Sequence, residues 1–310
     1  MTARFRLPPW LFLLALAAVV AALLYSIDLY RHRFVRSNSD LVRLLPPGDS
    51  TIFFANFSVL RKAGMMRLVS GAKPAEEKDY DDFVRQTHFN YQSDIDALAA
   101  AVGSNGMFFV ARGRFDWDSL QRYAISHGGS CQGNELCRVQ TSRPGHWASF
   151  LAIQSDVIGL AVAGNNSAAG LLRPTARQYG QPEIAAPVWV DVSRELLKSP
   201  GQMPLPLRIF AITLQSAESV IASLEPPEKD DHAAFEIRLD AVCPNSVTAE
   251  TTRNQMELQT KLLKLELARE HQQPNPADLT GLLTSGSFQV AGRRVVGTWP
   301  VRNELLKTLQ

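Results

Sequence analysis

The sequence lacks the motifs by which common enzyme classes are recognised. It contains no GxSxG serine elbow, no HExxH zinc motif, no GxxxxGK(S/T) phosphate loop and no GxGxxG fingerprint followed by a helix. It also lacks an excess of charge, since 32 basic and 30 acidic residues leave a net charge of +2. Such a chain has no field that recruits nucleic acid. We therefore expect no catalytic residue, no cofactor, no metal and no nucleic-acid partner.

Clustered titratable groups are scarce as well. The six histidines are scattered along the chain. Acidic pairs such as Asp81/Asp82, Asp116/Asp118 and Asp230/Asp231 stand where helix caps and turns favour aspartate. These residues predict structural roles, although an envelope hydrolase with its site between two repeats stays open as an alternative.

Long uncharged runs are absent from the chain except for one, from Leu7 to Ile27. Its length matches the ~20 apolar residues with which a helix crosses a bilayer. We expect an uncleaved transmembrane anchor, which makes the lipid bilayer a partner. A signal peptide cleaved after Val20-Ala21-Ala22 and a buried soluble helix remain alternatives.

Cysteine is rare, with three residues in the chain. Cys131 and Cys137 enclose a short polar loop, and such a pair can form a disulfide across a turn. Two free thiols, or a zinc site with His127 and His146, remain open. Arginines flank the uncharged run almost equally on both sides, so they do not decide its orientation. A disulfide requires an oxidising compartment, which favours a body in the periplasm or otherwise outside the cytoplasm of a bacterial inner membrane.

Local signals predict several elements of the chain after the uncharged run. Ser58 is expected to cap a helix that runs to about Leu68. The turn Gly103–Gly106 predicts a hairpin of the strands 95–102 and 107–113. An amphipathic helix is expected from Asp116 to His127.

The remaining chain predicts an α+β fold. Residues 150–171 align without gaps on residues 288–309, and both segments indicate strand, turn, strand and helix. We expect an N-terminal transmembrane helix followed by a duplicated unit of antiparallel sheet and helices. The predicted parts are an anchor at 1–30, a stalk at 31–47, a first unit at 48–174 and a second unit at 187–310.

A long helix from about Ser246 to His271 carries two apolar stripes. Met256, Leu263 and Leu267 can cover the sheet. Leu258, Leu262 and Leu265 lie roughly opposite, where they contact the other repeat or form a surface for a protein partner or for self-association.

Several segments resemble a group of uncharacterised exported bacterial proteins. They are Leu44-Leu45-Pro46-Pro47 before a strand and a helix, the segment Phe83–Asp96, and Gly297-Thr298-Trp299-Pro300-Val301 before a short terminal helix. The resemblance implies a protein of the bacterial envelope and implies no reaction. Together with the uncharged run, it predicts a single-pass anchored extracytoplasmic protein that acts through binding or assembly. A small metal-binding module is the third alternative.

Overall fold

The structure, a computed structural model, describes residues 37–66, 77–132, 136–172, 184–199, 201, 205–227 and 233–308. The predicted anchor at Leu7–Ile27 lies outside these residues. Within them, no helix combines the length and the apolar character that crossing a bilayer requires.

Twelve strands and ten α-helices make up the described part of the chain. The strands are β1 Thr51–Ala55, β2 Ile95–Gly103, β3 Gly106–Gly113, β4 Ser130–Gln132, β5 Leu136–Gln140, β6 Trp147–Gln154, β7 Val157–Ala163, β8 Val188–Val192, β9 Ser219–Glu225, β10 Ala233–Val242, β11 Ser287–Ala291 and β12 Arg294–Arg302. The helices are α1 Asn38–Arg43, α2 Phe57–Lys62, α3 Glu77–Thr87, α4 Tyr91–Asp94, α5 Trp117–Ser126, α6 Arg194–Lys198, α7 Leu205–Thr213, α8 Ser246–Arg269, α9 Leu279–Thr284 and α10 Asn303–Thr308. Short 3₁₀ turns occupy Ala168–Leu171 and Leu214–Ser216.

All twelve strands form one antiparallel sheet in the order β11-β12-β10-β9-β8-β1-β2-β3-β7-β6-β5-β4. The predicted fold of two sheet-and-helix units, each with its own sheet, is therefore wrong. β1 pairs with β2 on one side and with β8 on the other, so the main-chain groups along both of its edges are bonded. From this central pair outward, the strand order β1-β2-β3-β7-β6 has the same pattern as β8-β9-β10-β12-β11.

One row of directly opposed residues crosses the whole sheet. It runs Cys131, Cys137, Phe150, Leu160, Phe109, Ala100, Phe53, Val190, Ala222, Leu239, Gly297 and Phe288. Opposed residues share a face of the sheet, so this row defines what we call the front face. The register is continuous across the seam between β1 and β8.

Different layers cover the two faces. In the half that contains β2, β3 and β7, the opposite back face carries small or branched residues such as Ala99, Val110 and Val157, all fully buried. They pack with Leu41 and Leu45, from α1 and the residues after it, in one core. The front face bears a second core, in which Met256 and Ala249 of α8 pack on Leu239 and Val295 of the sheet. The long helix of the second half thus lies on the front face.

Candidate functional site

A cavity of about 420 Å³ lies on the front face, between the sheet and the helices α3 and α5. Every residue that lines it is aliphatic or aromatic, and none presents a polar atom to the space. The lining comprises Phe83, Phe89, Ile95, Leu98, Phe109, Ala111, Phe115, Leu120, Tyr123, Ala124, Val139, Ala148, Phe150, Ile158 and Leu160. Its volume falls within the ~300–1,000 Å³ of typical ligand sites.

The floor of the cavity follows from the alternation of side chains in the strands. Leu98, Ala111 and Ile158 are directly opposed neighbours on β2, β3 and β7. Two residues further along the strands, Phe109 stands opposite Leu160. Because every second residue of these strands points to the same face, an apolar choice at each of these positions makes a continuous apolar floor.

The roof depends on how α5 begins. Asp116 caps the helix, because its carboxylate accepts the Ser119 N–H at 3.1 Å and the Ser119 hydroxyl at 2.6 Å. These two hydrogen bonds lower the pKa of the Asp116 carboxyl. The cap sets the helix so that Leu120, Tyr123 and Ala124 line the cavity together, at helical spacings of three and four residues.

Helix α3 closes part of the same roof through ring contacts. Phe83 of α3 meets Tyr123 of α5 edge to face, with ring centroids 5.0 Å apart. Phe83 also meets Phe89 edge to face at 6.0 Å. Aromatic side chains are rigid and large, so they hold two helices apart from the sheet while they still exclude water.

The cavity exists because the covering helix is short. In the second half, α8 has 24 residues and contacts both β11 and β12. The helix that follows β3 in the first half, α5, has 10 residues and contacts the outer strands β4 and β5. The side chains of Phe109, Phe150 and Leu160 remain only half-buried near the middle of their half-sheet. Because α5 is shorter than α8 and the sheet beneath it is equally apolar, part of the space between helix and sheet stays unfilled.

The two predicted disulfide cysteines lie beside this site. Cys131 of β4 and Cys137 of β5 are directly opposed and are joined by a disulfide. Cys137 in turn stands opposite Phe150, which lines the cavity. With both sulfur atoms bonded to each other, the four residues of the zinc alternative do not form a ligand set. In the described ranges, no group of three or more His, Cys, Asp or Glu side chains is placed to hold a metal ion.

The predicted partner residues lie on the outer side of α8. Leu258, Leu262 and Leu265 are 55%, 54% and 66% exposed. From the opposite stripe, Met256 and Leu267 are buried, as expected for side chains that cover the sheet, whereas Leu263 is only half-buried. The structure therefore places the three exposed leucines away from the cavity.

A second cleft of about 720 Å³, lined by both polar and apolar residues, lies where β1 meets β8. The hydrolase alternative predicts a site between the two repeats, and this cleft lies in that region. Among the serines that line the cleft, Ser193 is the one that directly follows β8, and Asp191 lies two residues before it on that strand. The Ser193 hydroxyl accepts hydrogen bonds from the Leu196 N–H and from the Thr51 hydroxyl, as a helix cap does. No histidine, lysine or cysteine is among the described residues that line the cleft. Ser193 therefore has no histidine, lysine or cysteine beside it in the cleft to act as the base that activates a serine nucleophile.

Asp191 is a half-buried carboxyl in this cleft with a displaced pKa. Partial burial on β8 raises the pKa of its side chain, because burial disfavours the charged form. A raised pKa can mark a functional group, but it also arises wherever the end of a strand is only half solvated. The raised pKa of Asp191 is therefore not by itself evidence of a reaction in this cleft.

Sequence reasoning missed the apolar cavity. It predicted α5 as an amphipathic helix over Asp116–His127, and the structure has it at Trp117–Ser126. It also predicted the hairpin of β2 and β3. The usable signal was that both strands are apolar on both faces, while the helix that follows them is only ten residues long. Once the strand register is known, the sequence shows that a helix of this length is too short to cover the apolar face of the sheet.

Comparison with known proteins finds similar solved structures but no matching family or curated protein. No protein-family model and no curated protein matches the chain. Among solved structures, crystal forms III and IV of TP0453 are similar at TM-scores of 0.48 and 0.45, with 10% and 9% sequence identity. The alignments cover 86% and 87% of this chain and 96% of the TP0453 chain in both cases. A likeness of this size carries no information about ligand or activity.

Proposed function

We propose that this protein is a binding protein of the bacterial envelope, without a catalytic site, that takes an apolar ligand into the cavity between α3, α5 and the sheet. The observation that carries the proposal is the lining. Fifteen side chains from two helices, five strands and the neighbouring loops converge on one space without presenting a polar atom to it. Core residues normally fill such a space, because unfilled volume costs stability.

The physical chemistry of the space selects its occupant. An apolar cavity of about 150 Å³ stays dry and takes up a molecule such as benzene. The cavity here is nearly three times as large, at about 420 Å³. Transfer of an apolar ligand from water gains roughly 25 cal/mol for each Å² of apolar surface buried. A polar or charged ligand would lose its hydration without a compensating hydrogen bond.

The proposed location outside the cytoplasm is supported by the disulfide between Cys131 and Cys137. The uncharged run Leu7–Ile27 supports attachment to a membrane, on the strength of the sequence alone. A body held close to a bilayer is exposed to compounds that partition into lipid, and a dry cavity competes with the bilayer for them.

The experiment uses an uncharged naphthylamine dye and the full chain reconstituted into vesicles of neutral phospholipid. Energy transfer from tryptophan to the dye is followed during a titration. Ala148→Phe fills the cavity, because Ala148 lines it. Ala268→Phe is the matched control, because Ala268 is exposed on α8.

We expect a saturable signal in the natural protein and in the control. Its affinity should fall at least tenfold in Ala148→Phe. Equal and unsaturable signals in all three proteins would mean that the dye reports only the lipid, and they would contradict the proposed function.

A further inference from the structure

Stacked aromatic rings line one end of the cavity. Phe89 stacks on Phe115 with centroids 5.6 Å apart, and Phe115 lies 5.8 Å from the ring of Trp117. The indole N–H of Trp117 donates a hydrogen bond of 3.2 Å to the Ser155 carbonyl. This bond ties the aromatic cluster to the turn between β6 and β7. The rings therefore form a fixed wall at this end of the strands.

At the opposite end of the same strands, the apolar side chains of the front face are exposed to solvent. Val102 of β2 and Met107 of β3 are directly opposed, and they are 45% and 40% exposed. Met107 also stands opposite Val162 of β7, and Val162 stands opposite Ala148, which lines the cavity. An unbroken apolar path thus connects the cavity to an exposed edge at Met107.

This apolar path extends over several residues of strand β7. From Val162 to Ile158 along β7 the chain advances four residues, which corresponds to about 13 Å of strand. The cavity itself is lined by Ile158 and Leu160 of this strand, with no polar atom facing it, and Val162 continues the apolar row beyond the cavity. A ligand that fills it must be apolar along its whole buried length, and any polar group it carries must remain at the Met107 end.

We infer that the ligand is a single straight hydrocarbon chain, which enters at Met107 and ends against Phe115. This inference rests on the function proposed above. The polar end group of the ligand stays in solvent beside Val102 and Met107. The aromatic wall at Phe115 then determines the longest chain that the cavity accommodates, so Phe115 is a specificity-determining residue.

The test is a displacement series with straight-chain carboxylic acids of increasing length against the naphthylamine dye, in the same vesicles. The Ala148→Phe variant, measured in parallel, supplies the lipid background. After correction for the acid taken up by the lipid, which the Ala148→Phe titration measures, each added methylene that enters the cavity should tighten binding about fourfold relative to the free acid in water. The gain should stop at one chain length, where the terminal methyl reaches Phe115.

Two variants move this limit in opposite directions. Phe115→Ala removes the wall, and the limit should shift to longer chains. Ala111→Leu adds volume on the floor, because Ala111 lines the cavity between Leu98 and Ile158, and the limit should shift to shorter chains. Phe210→Ala is the matched control, because Phe210 packs on Trp299 in the core beneath α8. If Phe115→Ala does not fold, the Ala111→Leu arm alone decides.

The outcomes separate this inference from the function on which it rests. Saturable dye binding with no chain-length limit, or with a limit unchanged in Ala111→Leu, would overturn the straight-chain ligand and leave an apolar binding protein. Stronger displacement by rigid polycyclic compounds than by any straight chain would do the same. Absence of saturable dye binding would overturn both.

Discussion

Leu160 of β7 and Leu239 of β10 lie in one row of directly opposed residues and point from the same face of the sheet, although they come from opposite halves of the chain. Leu239 is 7% exposed and packs in the core that α8 covers. Leu160 is half-buried and lines the cavity. Two leucines in the same row of the sheet thus have unequal cover, and this difference produces the candidate site.

The two leucines should respond differently to truncation. A closed core loses packing contacts and gains a cavity, so Leu239→Ala should lower the free energy of unfolding by about 2–5 kcal/mol. Leu160 already borders empty space, so Leu160→Ala should lower it by less than half of the Leu239 value. Urea denaturation of both variants gives the comparison. Equal losses would mean that the space above Leu160 is filled by protein in solution.

The disulfide predicts which thiols an impermeant maleimide labels on intact cells. Cys131 and Cys137 should react only after a reductant is added. Cys243 is fully buried and should stay unlabelled in the folded protein, which makes it an internal control for unfolding. Labelling that requires cell lysis but no reductant would place the body in the cytoplasm and would contradict the proposed location.

The exposed stripe of α8 should tolerate polar residues. Because Leu258 and Leu262 are more than half exposed, the double variant Leu258→Gln/Leu262→Gln should change the free energy of unfolding by no more than about 0.5 kcal/mol per site. Met256→Gln is the matched control on the buried stripe, and it should cost several times as much, since it buries a polar amide. Loss of folding in the double variant would show that these leucines belong to a core.

Asp191 should make the protein less stable at neutral pH than an uncharged residue would. Its pKa in the folded state is raised by burial, so the folded protein holds this proton more tightly than the unfolded chain does. Its stabilising contribution is therefore present below the unfolded pKa of about 3.9, and it is lost as the pH rises through the folded pKa. Asp191→Asn should raise the melting temperature at pH 7 relative to the natural protein.

This gain should vanish at a pH below the unfolded value, where the natural carboxyl is itself neutral. Melting curves across the acidic range test the sign. A gain that is constant with pH would mean that the Asp191→Asn substitution acts through packing instead of charge.

Local structure was readable from the sequence where one residue determines it. Asp116 before α5, and the Gly103–Gly106 turn between β2 and β3, mark their elements through capping and turn chemistry, which act within a few residues. The helix after β1 is a partial exception. Ser58 looked like its cap, whereas Asn56 accepts the Val59 N–H and starts α2 at Phe57.

Strand pairing across the chain was not readable. The contact between β1 and β8 joins residues such as Ile52 and Asp191, which are far apart in sequence. No local signal states whether an edge strand stays free or pairs with a distant one. A chain with two separate sheets and a chain with one continuous sheet therefore have the same local sequence pattern. The cavity follows from that long-range register together with the length of α5, so it could not be located from the sequence alone.

Covalent mapping shows whether an apolar ligand enters the cavity between α3, α5 and the sheet. The full chain in lipid vesicles is irradiated with an uncharged photoactivatable diazirine probe, and the modified residues are located by mass spectrometry. We predict adducts on the cavity residues Phe109, Phe150 and Leu160, reduced in Ala148→Phe and unchanged in Ala268→Phe. Adducts confined to the Leu7–Ile27 run and to the exposed leucines of α8, with none on the cavity residues, would mean that the cavity does not bind an apolar ligand.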